Sequence, residues 1–154
     1  MLTSPWPEDL RPEGAPVSSR NELFIEAPPD RVWQVLIGAV DWPSLYDNAQ
    51  DVRIDGGDLV LSAGAWFSWR TFGVAVRTQV IAWEPGRVLA WRGDDWKGRG
   101  CHTWLLEPEG QGTRLVTEEV QRGPVPWLGR LYLQPALLRW HQLWLEGIRG
   151  RCHG

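Results

Sequence analysis

Cys101-His-Thr-Trp-Leu-Leu-Glu-Pro-Glu-Gly-Gln-Gly-Thr-Arg-Leu-Val-Thr-Glu-Glu-Val-Gln121 decides the fold together with the apolar run that follows it, from Gly123-Pro-Val-Pro126 to Ile148. The first part reads as two strands, Cys101 to Glu107 and Thr113 to Gln121. The turn is Glu109-Gly-Gln-Gly112, in which Gly110-Gln111 suits a two-residue Gly-X connection. That connection sets the register: Leu106 faces Leu115, Trp104 faces Thr117, and His102 faces Glu119. If the leucines point into the core, all three pairs do, because side chains alternate faces along a strand; a one-residue slip would turn every one of them outward. The second part is helical. Leu131, Leu133, Leu137, Leu138, Trp140, Leu143, Trp144, Leu145 and Ile148 lie nearly all round it, which predicts a helix buried on most sides. Pro135 either kinks it or opens its main segment as the first residue.

Upstream, residues 1–20 hold Pro5, Pro7, Pro12 and Pro16 and read as an irregular arm, with one domain over 21–150. Glu22 to Glu26 is a short strand. Pro28-Pro29-Asp30 opens a helix in which Val32, Trp33, Leu36 and Ile37 recur at helical spacing. Trp42-Pro-Ser-Leu-Tyr46 reads as a second short helix. Strands are then expected at Asp51–Ile54, from Leu59 to Leu61, at Trp66–Phe72, at Val74–Trp83 and at Arg87–Arg92, with a polar loop over Asp94–Gly100. Outward Arg70, Arg77, Gln79 and Arg92 leave Phe67, Trp69, Thr71, Val76, Thr78, Val80, Leu89 and Trp91 facing inward. A strand, two helices, a run of antiparallel strands and a long final helix make an α+β fold: a curved antiparallel sheet of about seven strands wrapped around the C-terminal helix.

Composition narrows the partners. A formal net charge of −3 excludes the basic stripe of a nucleic-acid binder. No apolar run reaches membrane-spanning length, and the first residues lack a basic and apolar leader, so a cytoplasmic protein is expected. Cys101 and Cys152 read as reduced thiols, and Cys152-His153 cannot close a zinc site, so no metal and no cofactor are expected. The 12 tryptophans call for a wide interior or a flat-ring ligand. Exposed tryptophans would also suit a homodimer interface.

His102 beside Glu119 is the sharpest chemical feature. An imidazole and a carboxylate side by side can polarise a carbonyl or exchange protons with a ligand; the competing reading is an internal ion pair that only shapes the cavity. Around them, Trp69, Trp91 and Trp104 would offer stacking faces, with Thr71 and Thr117 on the same inner face. Tyr46 would close the mouth. His141 reads as a core histidine one helical turn from Leu137, Trp144 and Leu145, or as a further ligand group.

The early Pro-Pro-Asp-Arg-Val-Trp33 helix start resembles the SRPBCC superfamily (START, birch-pollen-allergen-like and polyketide-cyclase proteins with the helix-grip fold). So do Trp42-Pro-Ser-Leu-Tyr46, Glu84-Pro-Gly-Arg-Val-Leu-Ala-Trp91, His102-Thr-Trp104, Gly112-Thr-Arg-Leu115 with Glu119, and Gly123 before the last helix. The resemblance spans about residues 21–150 and implies a deep hydrophobic cavity between sheet and helix. It carries over no fixed catalytic set. The leading expectation is binding or transport of a small hydrophobic molecule (a lipid, a polyketide-like aromatic or an isoprenoid). The alternatives are a cyclase or dehydratase using His102 and Glu119 as an acid/base pair, and a co-chaperone-like interaction module.

Overall fold

Two consecutive prolines set where the first helix begins. Pro28 is extended and Pro29 takes the first helical position, where its missing N–H leaves no gap. In a computed structural model, which describes residues 5–154, the elements run β1 (Val17–Ile25), α1 (Pro29–Ile37), a 3-10 segment (Ala39–Ser44), β2 (Gln50–Ile54), β3 (Trp66–Thr71), β4 (Val74–Glu84), β5 (Val88–Asp95), β6 (Gly98–Glu109), β7 (Gly112–Arg122) and α2 (Pro124–His153). The seven strands form one antiparallel sheet in the order β1-β7-β6-β5-β4-β3-β2. It is curved, and α2 packs against it in the helix-grip arrangement. Among the described residues no helix is long and apolar enough to cross a membrane.

The last hairpin has the expected register. Leu106 pairs with Leu115, Trp104 with Thr117 and His102 with Glu119, and Glu109 meets Gly112 across the turn. Phe67, Trp69, Thr78, Val80, Leu89 and Trp91 are all buried, as the alternation requires.

Four expectations need correction. First, β1 begins at Val17 rather than Glu22 and pairs with β7 as far as Gln121. Residues 17–20 of the expected arm are therefore strand, and residues 1–4 of it lie outside the described residues. The remainder is ordered on the outer face of the sheet. Leu10 is fully buried against Cys101 and Val120, and Asp9 ion-pairs with Arg92 at 3.2 Å and Arg99 at 3.5 Å. Second, Leu59–Leu61 is not a strand: Leu61 N–H bonds the Ile37 carbonyl at 2.8 Å, the C-terminal end of α1, instead of a sheet neighbour. Third, Asp94–Gly100 is not a loop. Asp95 Oδ1 accepts from Lys97 N–H at 2.8 Å and Gly98 N–H at 3.3 Å, a side-chain turn that lets β5 and β6 pair as far as Asp95 and Gly98.

The fourth concerns α2. It runs unbroken through Pro135 but is buried along one stripe: Leu137, His141, Trp144, Leu145 and Ile148. Leu131, Leu138 and Leu143 are exposed, as are Trp127, Leu128 and Tyr132 of the first turns. The helix spans one open side of the sheet, so only the face turned to the sheet and α1 is covered. Its grip is close all the same. A Cβ at Gly147 would collide with the Leu45 carbonyl oxygen. Gly123, at φ 116°, brings the start of α2 onto Gly98, where a Cβ would sit 2.7 Å from Gly98 Cα; only glycine takes that conformation at that distance. The edge strand β1 is covered by α2 side chains and backbone, with Asn21 Nδ2 donating to the Leu138 carbonyl at 2.9 Å.

Candidate functional site

Aromatic rings fill the half of the interior beneath the C-terminal part of α2. Trp42 is fully buried, donates its Nε1–H to the Leu36 carbonyl at 2.9 Å, and meets Phe67, Trp69, Trp91 and Trp144 at centroid distances of 5.1–5.9 Å. The edge-to-face angles of several of these pairs are the favoured geometry for aromatic quadrupoles.

Under the first turns of α2 the interior opens instead. A cavity of about 540 Å³ lies between β3–β6 and the helix. Val74, Val76, Trp69 and Trp91 wall it on the sheet side, Val125, Pro126 and Leu133 on the helix side. Gly98 and Gly100 keep the β6 edge free of side chains. Phe72 stands in the β3–β4 turn with φ 51°, its N–H held by Asn48 Oδ1 at 2.8 Å. His102 and Glu119 reach the cavity from β6 and β7.

Each of these polar side chains is held from behind. The Thr117 hydroxyl is 3.3 Å from the Thr103 carbonyl, to which it donates, and so accepts from His102 Nε2–H at 2.6 Å. That leaves the His102 Nδ1 lone pair buried without a hydrogen-bond partner, 3.4 Å from Glu119 Oε1. Gln121 Nε2 donates to the other Glu119 oxygen at 2.9 Å. His141 crosses from α2, its ring centroid 4.6 Å from that of His102, with Nδ1 3.1 Å from Ser19 Oγ. Burial pushes the Glu119 carboxyl up to about 7 and His141 down to about 4. Burial, with His141 beside it, holds His102 well below the usual imidazole value. Both histidines favour their neutral forms near neutrality, and Glu119 stands between its two forms there. Glu119 can then offer a proton toward His102 Nδ1 or toward a cavity oxygen. One potential ligand atom from each of His102, Glu119 and His141 lies within 4.8 Å of the other two.

Of the residues singled out in the sequence, Trp69, Thr71, Trp91, His102 and Glu119 line the cavity. Trp104, Thr117, His141 and Tyr46 do not. Trp104 is fully buried behind His102, ring against ring at 4.9 Å. Thr117 is used up in orienting His102. Tyr46 does not close a mouth: it stacks on Trp144 at 4.4 Å with planes 10° apart, where burial raises its hydroxyl above the usual phenol range. Sequence reasoning missed the walls from β6 and α2, since Asp94–Gly100 read as loop and the first turns of α2 as buried. It also missed that His141 joins His102 and Glu119; residues 102 and 119 share a hairpin, but 141 meets them only through the crossing angle of α2.

The comparisons agree with this fold. A Helicobacter pylori structure, hypothetical protein jhp0584, superposes with a TM-score of 0.87 at 27% identity, over 99% of this chain and 97% of that one. TTHA0849 from Thermus thermophilus gives 0.69 at 20% identity, over 88% and 96%. The Zhui aromatase/cyclase from Streptomyces sp. R1128 gives 0.69 at 18%, over 88% and 93%. At the identities of the last two the likeness is one of fold. No curated protein matches the sequence. The family pattern "polyketide cyclase / dehydrase and lipid transport" matches residues 16–147, and the chain therefore belongs to that family within the SRPBCC superfamily.

Proposed function

We propose that the protein binds a small, largely apolar molecule bearing at least one oxygen function in the cavity beneath the first turns of α2. One observation carries this: a space of about 540 Å³ with tryptophan and valine walls ends on the His102–Glu119 pair. Small-molecule sites have this make-up and size, with apolar walls for affinity and a few placed polar groups for orientation. A lipid, a polyketide-like aromatic or an isoprenoid fits the description. The oxygen would sit against Glu119, which donates when protonated, while Trp69 and Trp91 face the carbon skeleton. Native mass spectrometry of protein purified from its host tests the reading. A retained apolar species, released on unfolding, is the expected result. Recovery of bare protein, with no Trp fluorescence change across a panel of lipids, polyphenols and isoprenoids, would overturn it.

A second reading is supported by the 3.4 Å separation of His102 Nδ1 and Glu119 Oε1 at the cavity wall. An acid and a base so close, and both in reach of a bound carbonyl, suit proton transfer in a cyclisation or dehydration. Once a ligand is known, Glu119→Gln and His102→Ala separate the two readings. Turnover that falls by about a hundredfold or more in both supports catalysis; turnover unchanged in both leaves binding alone.

A further inference from the structure

We propose that His102, Glu119 and His141 form a binding site for a divalent first-row transition metal ion, with one side open to the cavity. The donor set is two imidazoles and one carboxylate, which suits zinc or ferrous iron. It comes from three separate elements, β6, β7 and α2, that the fold brings together.

The argument rests on how each side chain is divided between an inner and an outer atom. His102 gives Nε2 to Thr117, 2.6 Å away, and keeps Nδ1 buried and without a partner. His141 gives Nδ1 to Ser19, 3.1 Å away, which leaves Nε2 as its other ring nitrogen. Glu119 gives one oxygen to Gln121, 2.9 Å away, and turns the other to His102. Metal-binding histidines characteristically donate their second ring N–H to an oxygen that fixes ring orientation and tautomer, and ligating carboxylates are themselves hydrogen-bonded. Here all three have such a support. His102 Nδ1 is buried without a partner 3.4 Å from a carboxylate oxygen, an arrangement that a bound ion would complete.

The spacing fits. Ligands about 2.0–2.2 Å from a tetrahedral ion stand about 3.3–3.6 Å apart, and His102 Nδ1 to Glu119 Oε1 is 3.4 Å. The longest edge of the triangle is at most 4.8 Å, so closing on an ion takes roughly 1 Å of side-chain movement. The remaining coordination positions would face the cavity, into which His102 and Glu119 project.

Chelator-treated full-length protein titrated with Zn(II) alone should bind one equivalent and gain thermal stability. Co(II) should give visible d–d absorption of a four- or five-coordinate site. Glu119→Gln, which keeps shape, should weaken Zn(II) binding about tenfold or more, as should His141→Ala. Thr117→Val, which leaves the donor set intact but frees the His102 ring, should weaken it by about 10–100-fold. In the wild type, long-range ¹H–¹⁵N spectra of the imidazoles should show Nδ1 of His102 and Nε2 of His141 shifting on metal addition, a readout that needs no variant. Absence of saturable one-to-one binding would overturn the site. So would binding that Glu119→Gln, His141→Ala and Thr117→Val all leave unchanged, or imidazole shifts confined to His153. None of these readouts depends on an apolar ligand, so the metal site and the proposed function can fail separately.

Discussion

Replacing Glu119 by glutamine in metal-free protein should raise stability in a way that grows with pH. Burial moves the Glu119 carboxyl from 4.5 in a solvated chain to about 7 in the fold. Between those values the native state holds a proton that the unfolded chain has released. The native state then binds more protons, so its stability falls as pH rises through the window and levels off above about 7. The contribution is fully present below pH 4.5 and lost by about 7. At 1.36 kcal/mol per pH unit the loss is about 3 kcal/mol. That figure is a ceiling, because 16% of the side chain faces the cavity, where water can solvate the carboxylate. Glutamine does not titrate. The difference between E119Q and wild type should therefore climb by up to about 3 kcal/mol from pH 4.5 to 8, or roughly 6–12 °C in Tm. The groups facing Glu119 are His102, His141 and Gln121. Both histidines are depressed below 6.5, so the stability they give is present above 6.5 and lost as pH falls through their native values. They are common to both proteins and largely cancel in the difference. Urea unfolding in chelator, followed by Trp fluorescence from pH 4.5 to 8.5, measures it. A difference that stays constant across that range would refute the reasoning, since it would mean that Glu119 is already ionised at pH 5 and held as an ion pair by a charged His102.

Gly147→Ala should destabilise by about 1–3 kcal/mol through overpacking against Leu45, whereas Gly150→Ala, with nothing within 4 Å of a new Cβ, should stabilise by up to about 1 kcal/mol; urea midpoints of the two variants compare them directly. Trp91→Ala removes a ring that contacts Trp42, Phe67, Trp69 and Trp144 and should cost about 3–5 kcal/mol by the same assay. Leu10→Ala should expose the N-terminal arm to limited proteolysis before the rest of the domain; unchanged cleavage would mean that the Asp9 ion pairs and the Arg122 hydrogen bonds to the Arg11 and Glu13 carbonyls suffice to hold it. Leu131→Ser, at a position 86% exposed, should shift stability by no more than about 0.5 kcal/mol on thermal unfolding.

Local periodicity reached what local periodicity governs. The Gly110-Gln111 turn set the β6–β7 register, and that register alone placed His102 beside Glu119. Strand alternation likewise put Trp69 and Trp91 inside. What stayed hidden depends on how elements cross. The first turns of α2 read as core because hydrophobicity does not say what covers a helix; Val125, Pro126 and Leu133 face the cavity, whereas Trp127, Leu128 and Leu131 are exposed. Tyr46 read as a lid because its distance from Trp144 in the chain concealed a ring stack. The Asp95 side-chain turn converts a polar, glycine-containing stretch from loop to hairpin, and composition alone cannot tell those apart.

The same crossing explains why the polar cluster lies where it does. Trp42, Trp69, Trp91 and Trp144 pack ring against ring under the buried stripe of α2. The cavity lies toward the first turns of α2, where Gly98 and Gly100 replace larger side chains on β6. His102 sits at the boundary, with the Trp104 ring stacked on it at 4.9 Å, the Trp91 ring tilted against it at 5.0 Å and the cavity before it. Rings behind exclude water and lower the local dielectric, which strengthens any interaction made in front. A ligand oxygen or a metal ion arriving from the cavity therefore meets Glu119 and His102 with their outer atoms already committed, and only the inner ones left to bind.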